Sequence, residues 1–226
     1  MRAAIVFDLD GTLVDSAPDI AAAVNRMLDG EGRPALPLAV VIGFIGNGIP
    51  KLVERVIAHC GLERDRHADL TQATLDHYSR AASDRTVVYP GVVPALEELR
   101  SRGHALGICT NKPEAPARHV LQALGLAGFF DAVIGGDTLA TRKPHPDPLH
   151  AAYAALPAGP RLYVGDSEVD AETARRAGVP FLLFTEGYRK SPVQDLHHAA
   201  SYGHGAALPE LVDRVLALAD RPADGF

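Results

Sequence analysis

Ala3-Ala4-Ile5-Val6-Phe7 runs without a polar residue into Asp8-Leu9-Asp10-Gly11-Thr12. The apolar run is too short for a helix and carries β-branched members, so it reads as a buried strand that ends on acids. Similar runs recur late in the chain at Ala105–Cys109, Ala132–Ile134, Leu162–Val164 and Phe181–Phe184. Helical patterns lie between them: Pro94–Arg100, Glu114–Leu124 before Gly125, Pro148–Leu156, and Glu168–Ala177 before Gly178. Strands that are apolar on both faces and alternate with helices imply a parallel sheet covered on both sides. The expected core is therefore a doubly wound, Rossmann-like α/β sheet.

The segment after the first strand differs. It reads as helices at Ile20–Leu28, Pro50–Cys60 and Asp69–Ala81, with Val40–Ile45 ambiguous between strand and helix end. A helical block inserted after the first strand implies a cap. The expected division is a core of residues 1–15 and 84–226, with a helical cap of residues 16–83; Tyr89-Pro90-Gly91 marks the return to the core. One amphipathic helix, Leu208–Ala219, is expected in the tail that runs to Phe226.

The chain has 226 residues, a formal net charge of −6 and no Lys/Arg run, which argues against a nucleic-acid partner. The cysteines number only two, Cys60 and Cys109, a sparse use that fits a reducing cytoplasm. The apolar start is too short for a secretion signal, and no stretch is long enough to span a bilayer; a cytoplasmic protein without a membrane partner is the expectation. The ten histidines are scattered and show no zinc-site spacing.

In such sheets ligands bind outside the carboxyl ends of the strands, so the residues found there carry the argument. Asp8 and Asp10, two apart in extended chain, face the same side. Their mutual repulsion is relieved by a hard cation such as Mg²⁺; the competing reading is an Asp-Gly hairpin turn. Thr110-Asn111-Lys112-Pro113 follows the second core strand, where a hydroxyl, an amide and a helix start can cradle phosphate or simply cap the helix. Lys143 sits in a loop stiffened by Pro144, Pro146 and Pro148, placed to aim at a phosphate or to stay in solvent. Gly165-Asp166-Ser167-Glu168-Val169-Asp170 gathers acids that suit a metal or a helix N-terminus. Each cluster alone has a structural explanation. All of them together at successive strand ends point to one active site.

DLDGT, TN, Lys143 before proline and GDSEVD together resemble the four motifs of the haloacid dehalogenase-like phosphatases, and the resemblance spans essentially the whole chain. Val169 departs from the pattern, since many relatives carry Asn there. Within the superfamily, DLDGTLVDSAPDI, GFIGNG, TNKP, GGDTLATRKPHPDP and VGDSEVDAETARRAGVP are most similar to the phosphoglycolate phosphatases. The resemblance implies a Mg²⁺-dependent attack of Asp8 on a small anionic phosphomonoester, with Asp10 as acid and then base. It implies Asp8, Asp10, Asp166 and Asp170 around the metal, and Thr110, Asn111 and Lys143 on the phosphoryl oxygens. The cap loop Gly43–Lys51 is expected to face the substrate, with Lys51 meeting a carboxylate or standing in solvent. A sugar phosphomutase, a pyrophosphate or nucleotide phosphatase, and a catalytically silent phospholigand-binding module stay open as alternatives. The chain is expected as a monomer or small homo-oligomer.

Overall fold

The computed structural model describes residues 2–81 and 83–219; Ala82 at the expected end of the cap and residues 220–226 of the tail lie outside the described residues. The chain begins with strand β1 (Ala4–Phe7), whose four side chains are all buried, and a short strand β2 (Val14–Asp15). Four helices follow: α1 (Ala17–Gly30), α2 (Leu38–Ile42), α3 (Ile49–Cys60) and α4 (His67–Ser79). The ambiguous Val40–Ile45 stretch is thus the end of a short helix, preceded by Pro37 and closed at Gly43.

Then come β3 (Val87–Val88), α5 (Val92–Ser101), β4 (Ala105–Cys109), α6 (Glu114–Ala123) and β5 (Ala132–Ile134). The chain continues through α7 (Asp147–Ala154), β6 (Arg161–Gly165), α8 (Glu168–Ala177), β7 (Phe181–Phe184), β8 (Ala200–Tyr202) and α9 (Leu208–Ala219). Strands β5-β4-β1-β6-β7-β8 form one sheet, in that order and all parallel. The sheet is doubly wound as expected, and it gains β8, which the sequence reading did not place.

Side chains alternate across the sheet. Ile5, Phe7, Leu106, Ile108, Leu162 and Val164 join one apolar core, while Ala4, Val6, Cys109, Tyr163 and Leu183 join the other. The second face is covered by α7, which packs on β1, β4 and β5, and by α8, which packs on β6 and β7. On the first face α5 packs against α9. From β1 the chain builds outward through β4 and β5, then resumes on the other side with β6, β7 and β8. That reversal makes the carboxyl end of β1 the topological switch point, where a crevice opens.

The α1–α4 block packs within itself, α1 against α2 and α4, and α3 against α4. In α3, Gly48 precedes the helix, Leu52, Val53, Val56 and Ile57 form the buried stripe, and Gly61 closes it in a left-handed conformation. The block joins the core through a narrow neck. Strands β2 and β3 pair antiparallel, Val14 opposite Val88, so exit and return run side by side. The buried Asp19 carboxylate ties them further, accepting from Arg85 N, Thr86 N (2.9 Å) and Thr86 Oγ1 (2.7 Å).

Candidate active site

The register of the central strands assembles the site. Phe7 lies opposite Ile108 on one side and Val164 on the other, so Asp8, Thr110 and Asp166 emerge near one level at the carboxyl edge. The Asp8 amide still donates to Val164 O at 2.8 Å, which fixes where its side chain starts. Beyond it the chain turns sharply through Gly11, at φ +90°. A Cβ there would lie 2.5 Å from Asp166 Oδ2, so both the backbone angle and the lack of space require glycine.

Lys143 is buried beneath Asp8. Its ammonium lies 3.0 Å from Asp8 Oδ1, 2.7 Å from Asp170 Oδ1 and 2.8 Å from the Tyr163 hydroxyl. Burial alone would push the lysine's pKa down; Asp170 and Asp8 overcome that and hold it raised, so it stays charged. Asp170 is fully buried with both oxygens engaged. Oδ1 accepts from Lys143 and Tyr163, and Oδ2 from Ser167 N and Oγ. Ser167 and Asp170 form the capping box that starts α8. Against the cost of burial, Lys143 and these hydrogen bonds hold the Asp170 carboxyl below the usual range.

Asp8 and Asp166 are pushed the other way. Burial raises Asp8 to about 7, opposed by Lys143 and reinforced by Asp170 and Asp10. Burial also raises Asp166, with Asp170 and Asp8 adding repulsion. Asp166 is positioned by Thr12 Oγ1 on Oδ1 (2.8 Å) and Tyr188 N on Oδ2 (2.6 Å). Asp8, Asp166 and Asp170 each offer an oxygen, and these oxygens all lie within 4.8 Å of one another. Asp8 Oδ1 is buried and accepts no hydrogen bond, the Lys143 ammonium beside it being outside hydrogen-bond geometry. Crowded, dehydrated carboxylates with an unsatisfied oxygen suit a hard divalent cation.

Asp10 is held apart from that trio. Its Oδ1 accepts from Ser16 Oγ (2.6 Å) and from Lys112 Nζ (2.8 Å), and Oδ2 lies 3.1 Å from the same ammonium. Lys112 also donates to the hydroxyl of Tyr78, which arrives from α4. Asn111 serves as a bridge: its amide Nδ2 donates to Gly46 O in the helical block and to Lys143 O in the core, each at 3.1 Å. Thr110 is buried, and its hydroxyl accepts from Lys112 N.

Asp8, Asp10, Thr110, Asn111 and Lys112 line a cavity of about 50 Å³ that is roofed by Ile20, Ile45, Ile49, Leu52 and Tyr78. Lys51 is not at this cavity. It is 47% exposed, pairs with Glu54 at 2.6 Å, and lines an open hollow beside Arg55 and His67. The structure thus gathers Asp8, Asp10, Thr110, Asn111, Lys143, Asp166 and Asp170 and leaves Lys51 outside. The sequence reading missed Lys112, Tyr78, Tyr163, Thr12 and Tyr188. Only Ser167 carried a local signal, the S-x-x-D spacing of a capping box.

The profile of the haloacid dehalogenase-like hydrolase family matches residues 5–184. A phosphoglycolate phosphatase of Cereibacter sphaeroides (strain ATCC 17025 / ATH 2.4.3) is 52% identical over 215 residues, covering 94% of this chain and 99% of the relative. The phosphoglycolate phosphatase of Rhodobacter capsulatus is 44% identical over 216 residues, covering 94% and 98%. Among solved structures, a predicted phosphoglycolate phosphatase from Haemophilus somnus 129PT superposes with a TM-score of 0.87 at 30% identity, covering 93% of this chain and 98% of that one. With the strand-end motifs in one crevice and the profile spanning most of the length, the chain belongs to the haloacid dehalogenase-like hydrolase family.

Proposed function

We propose that the protein hydrolyses 2-phosphoglycolate to glycolate and phosphate through a phosphoaspartate on Asp8. The observation that carries this reading is Asp8 at the switch point: the residue lines the cavity, and its buried Oδ1 accepts no hydrogen bond and stands 3.0 Å from a buried lysine. A nucleophile needs a free lone pair, and a phosphoryl group needs a fixed cation beside it. The names borne by the relatives supply the substrate.

Asp8 attacks phosphorus and the P–O bond to the leaving group breaks. Asp10 delivers a proton to the departing alkoxide, then takes one from the water that cleaves the phosphoaspartate. Ser16 and Lys112 hold Asp10 for both tasks. Lys143 meets the charge spreading over the phosphoryl oxygens, and Asp170 and Tyr163 hold its ammonium in place. Thr110 and the start of α6 lie on the same side of the cavity as further donors. Mg²⁺ fits the trio of carboxylates: Asp8 and Asp166 would hold it, with Asp170, whose oxygens are already engaged, supporting them. Bound there, the cation offsets the negative charge of the phosphoryl group. The helical block is the cap that excludes water and limits the leaving group to what the cavity admits.

Asp8→Asn keeps the side-chain shape and removes the nucleophile. Phosphate release from 2-phosphoglycolate in Mg²⁺ should fall by roughly a thousandfold or more, with the fold preserved by circular dichroism. Activity within tenfold of the parent would end the reading.

A further inference from the structure

We infer that Lys112, with Tyr78 from α4, is the receptor for the carboxylate of the leaving group. The inference rests on the reading of the substrate as a carboxylated phosphomonoester.

Among the described residues, Lys112 is the one cationic side chain lining the cavity. Its side chain is 4% exposed, its ammonium touches both Asp10 oxygens and the Tyr78 hydroxyl, and it lies 4.6 Å from the centre of the Tyr78 ring. The roof residues Ile20, Ile45, Ile49 and Leu52 offer an anion nothing. A carboxylate carried into this space finds polar neighbours in Thr110 and Asn111 but a positive charge in Lys112, and a buried carboxylate without a cation is costly. Lys190 lines the neighbouring hollow, where its ammonium donates to Ile45 O at 3.1 Å. Lys143 is locked between Asp8, Asp170 and Tyr163, and Lys51 stands in solvent with Glu54.

The test compares the parent, Lys112→Met and Tyr78→Phe on 2-phosphoglycolate and on ethyl phosphate, which is similar in length and lacks the carboxylate. Lys112→Met should lower kcat/KM for phosphoglycolate by about a hundredfold, mainly through KM. For ethyl phosphate the loss should stay below about tenfold, the part due to support of Asp10. Tyr78→Phe, which keeps the ring, should show the same preference at about threefold to tenfold; it supplies the comparison if Lys112→Met fails to fold. Equal losses on both substrates in a parent that prefers phosphoglycolate would overturn this assignment alone. A parent with no preference for phosphoglycolate would overturn the substrate reading and the assignment with it.

Discussion

At the residue scale, the site is a set of carboxylates that the fold has withdrawn from water to different degrees. Asp170 has a lysine and four hydroxyl or amide donors and stays ionised, whereas Asp8 is raised to about 7. The sign of the consequence follows from linkage. Without metal the folded protein holds the Asp8 proton more tightly than the unfolded chain, so this group's contribution to stability is present at low pH. It is lost as pH rises from about 4 towards 7. Asp166 shifts in the same direction. A cation competes with those protons, so its affinity rises with pH across the same window. The rise in Tm on adding Mg²⁺ should be larger at pH 8 than at pH 6, as read by differential scanning fluorimetry. An equal or smaller rise at pH 8 would place the cation away from these carboxylates.

At the element scale, geometry is set where a strand stops. β1 ends one residue before Asp8, and the turn that follows depends on Gly11 standing against Asp166. Gly11→Ala forces a side chain at φ +90° into the Asp166 carboxylate, so Asp166 must move. The expected outcome is a loss of apparent Mg²⁺ affinity of at least about tenfold in a metal titration of activity, with far-UV circular dichroism preserved. Much of this scale could be read in advance. Strands buried on both faces leave an unbroken apolar run, so β1, β4, β5 and β7 were visible within a residue, as were α8 and its closing Gly178. The misses have a shared cause. β2 and β3 are two residues each, and β8 is three residues with Ser201 exposed, too short for periodicity to register. Lys112 sits beside Thr110 and Asn111 in sequence, but its meaning comes from Tyr78, which reaches it only once the helices are docked. Lys51, open between a substrate carboxylate and solvent in the sequence, follows a glycine-rich turn and turns its side chain to Glu54, one helical step along α3.

At the scale of the whole molecule, the α1–α4 block and the sheet are joined by the β2–β3 neck, by a shared apolar cluster and by polar links. The neck depends on Asp19, whose buried carboxylate gathers the donors of Arg85 and Thr86. Asp19→Ala removes the buried acceptor that Arg85 N, Thr86 N and Thr86 Oγ1 share, a cost of about 2–3 kcal/mol. Tm should fall by about 5–10 °C; a fall of less than about 2 °C would show that water replaces the carboxylate at no cost.

The Asn111 amide spans from Lys143 O beside the sheet to Gly46 O in the helical block and ties the two together. What it grips on the far side is a main-chain oxygen, presented by a glycine at φ +121° and by no side chain. Exchanging Ile20, Ile45, Ile49 or Leu52 in the roof leaves that grip in place, whereas exchanging Tyr78 also removes the hydroxyl that Lys112 touches.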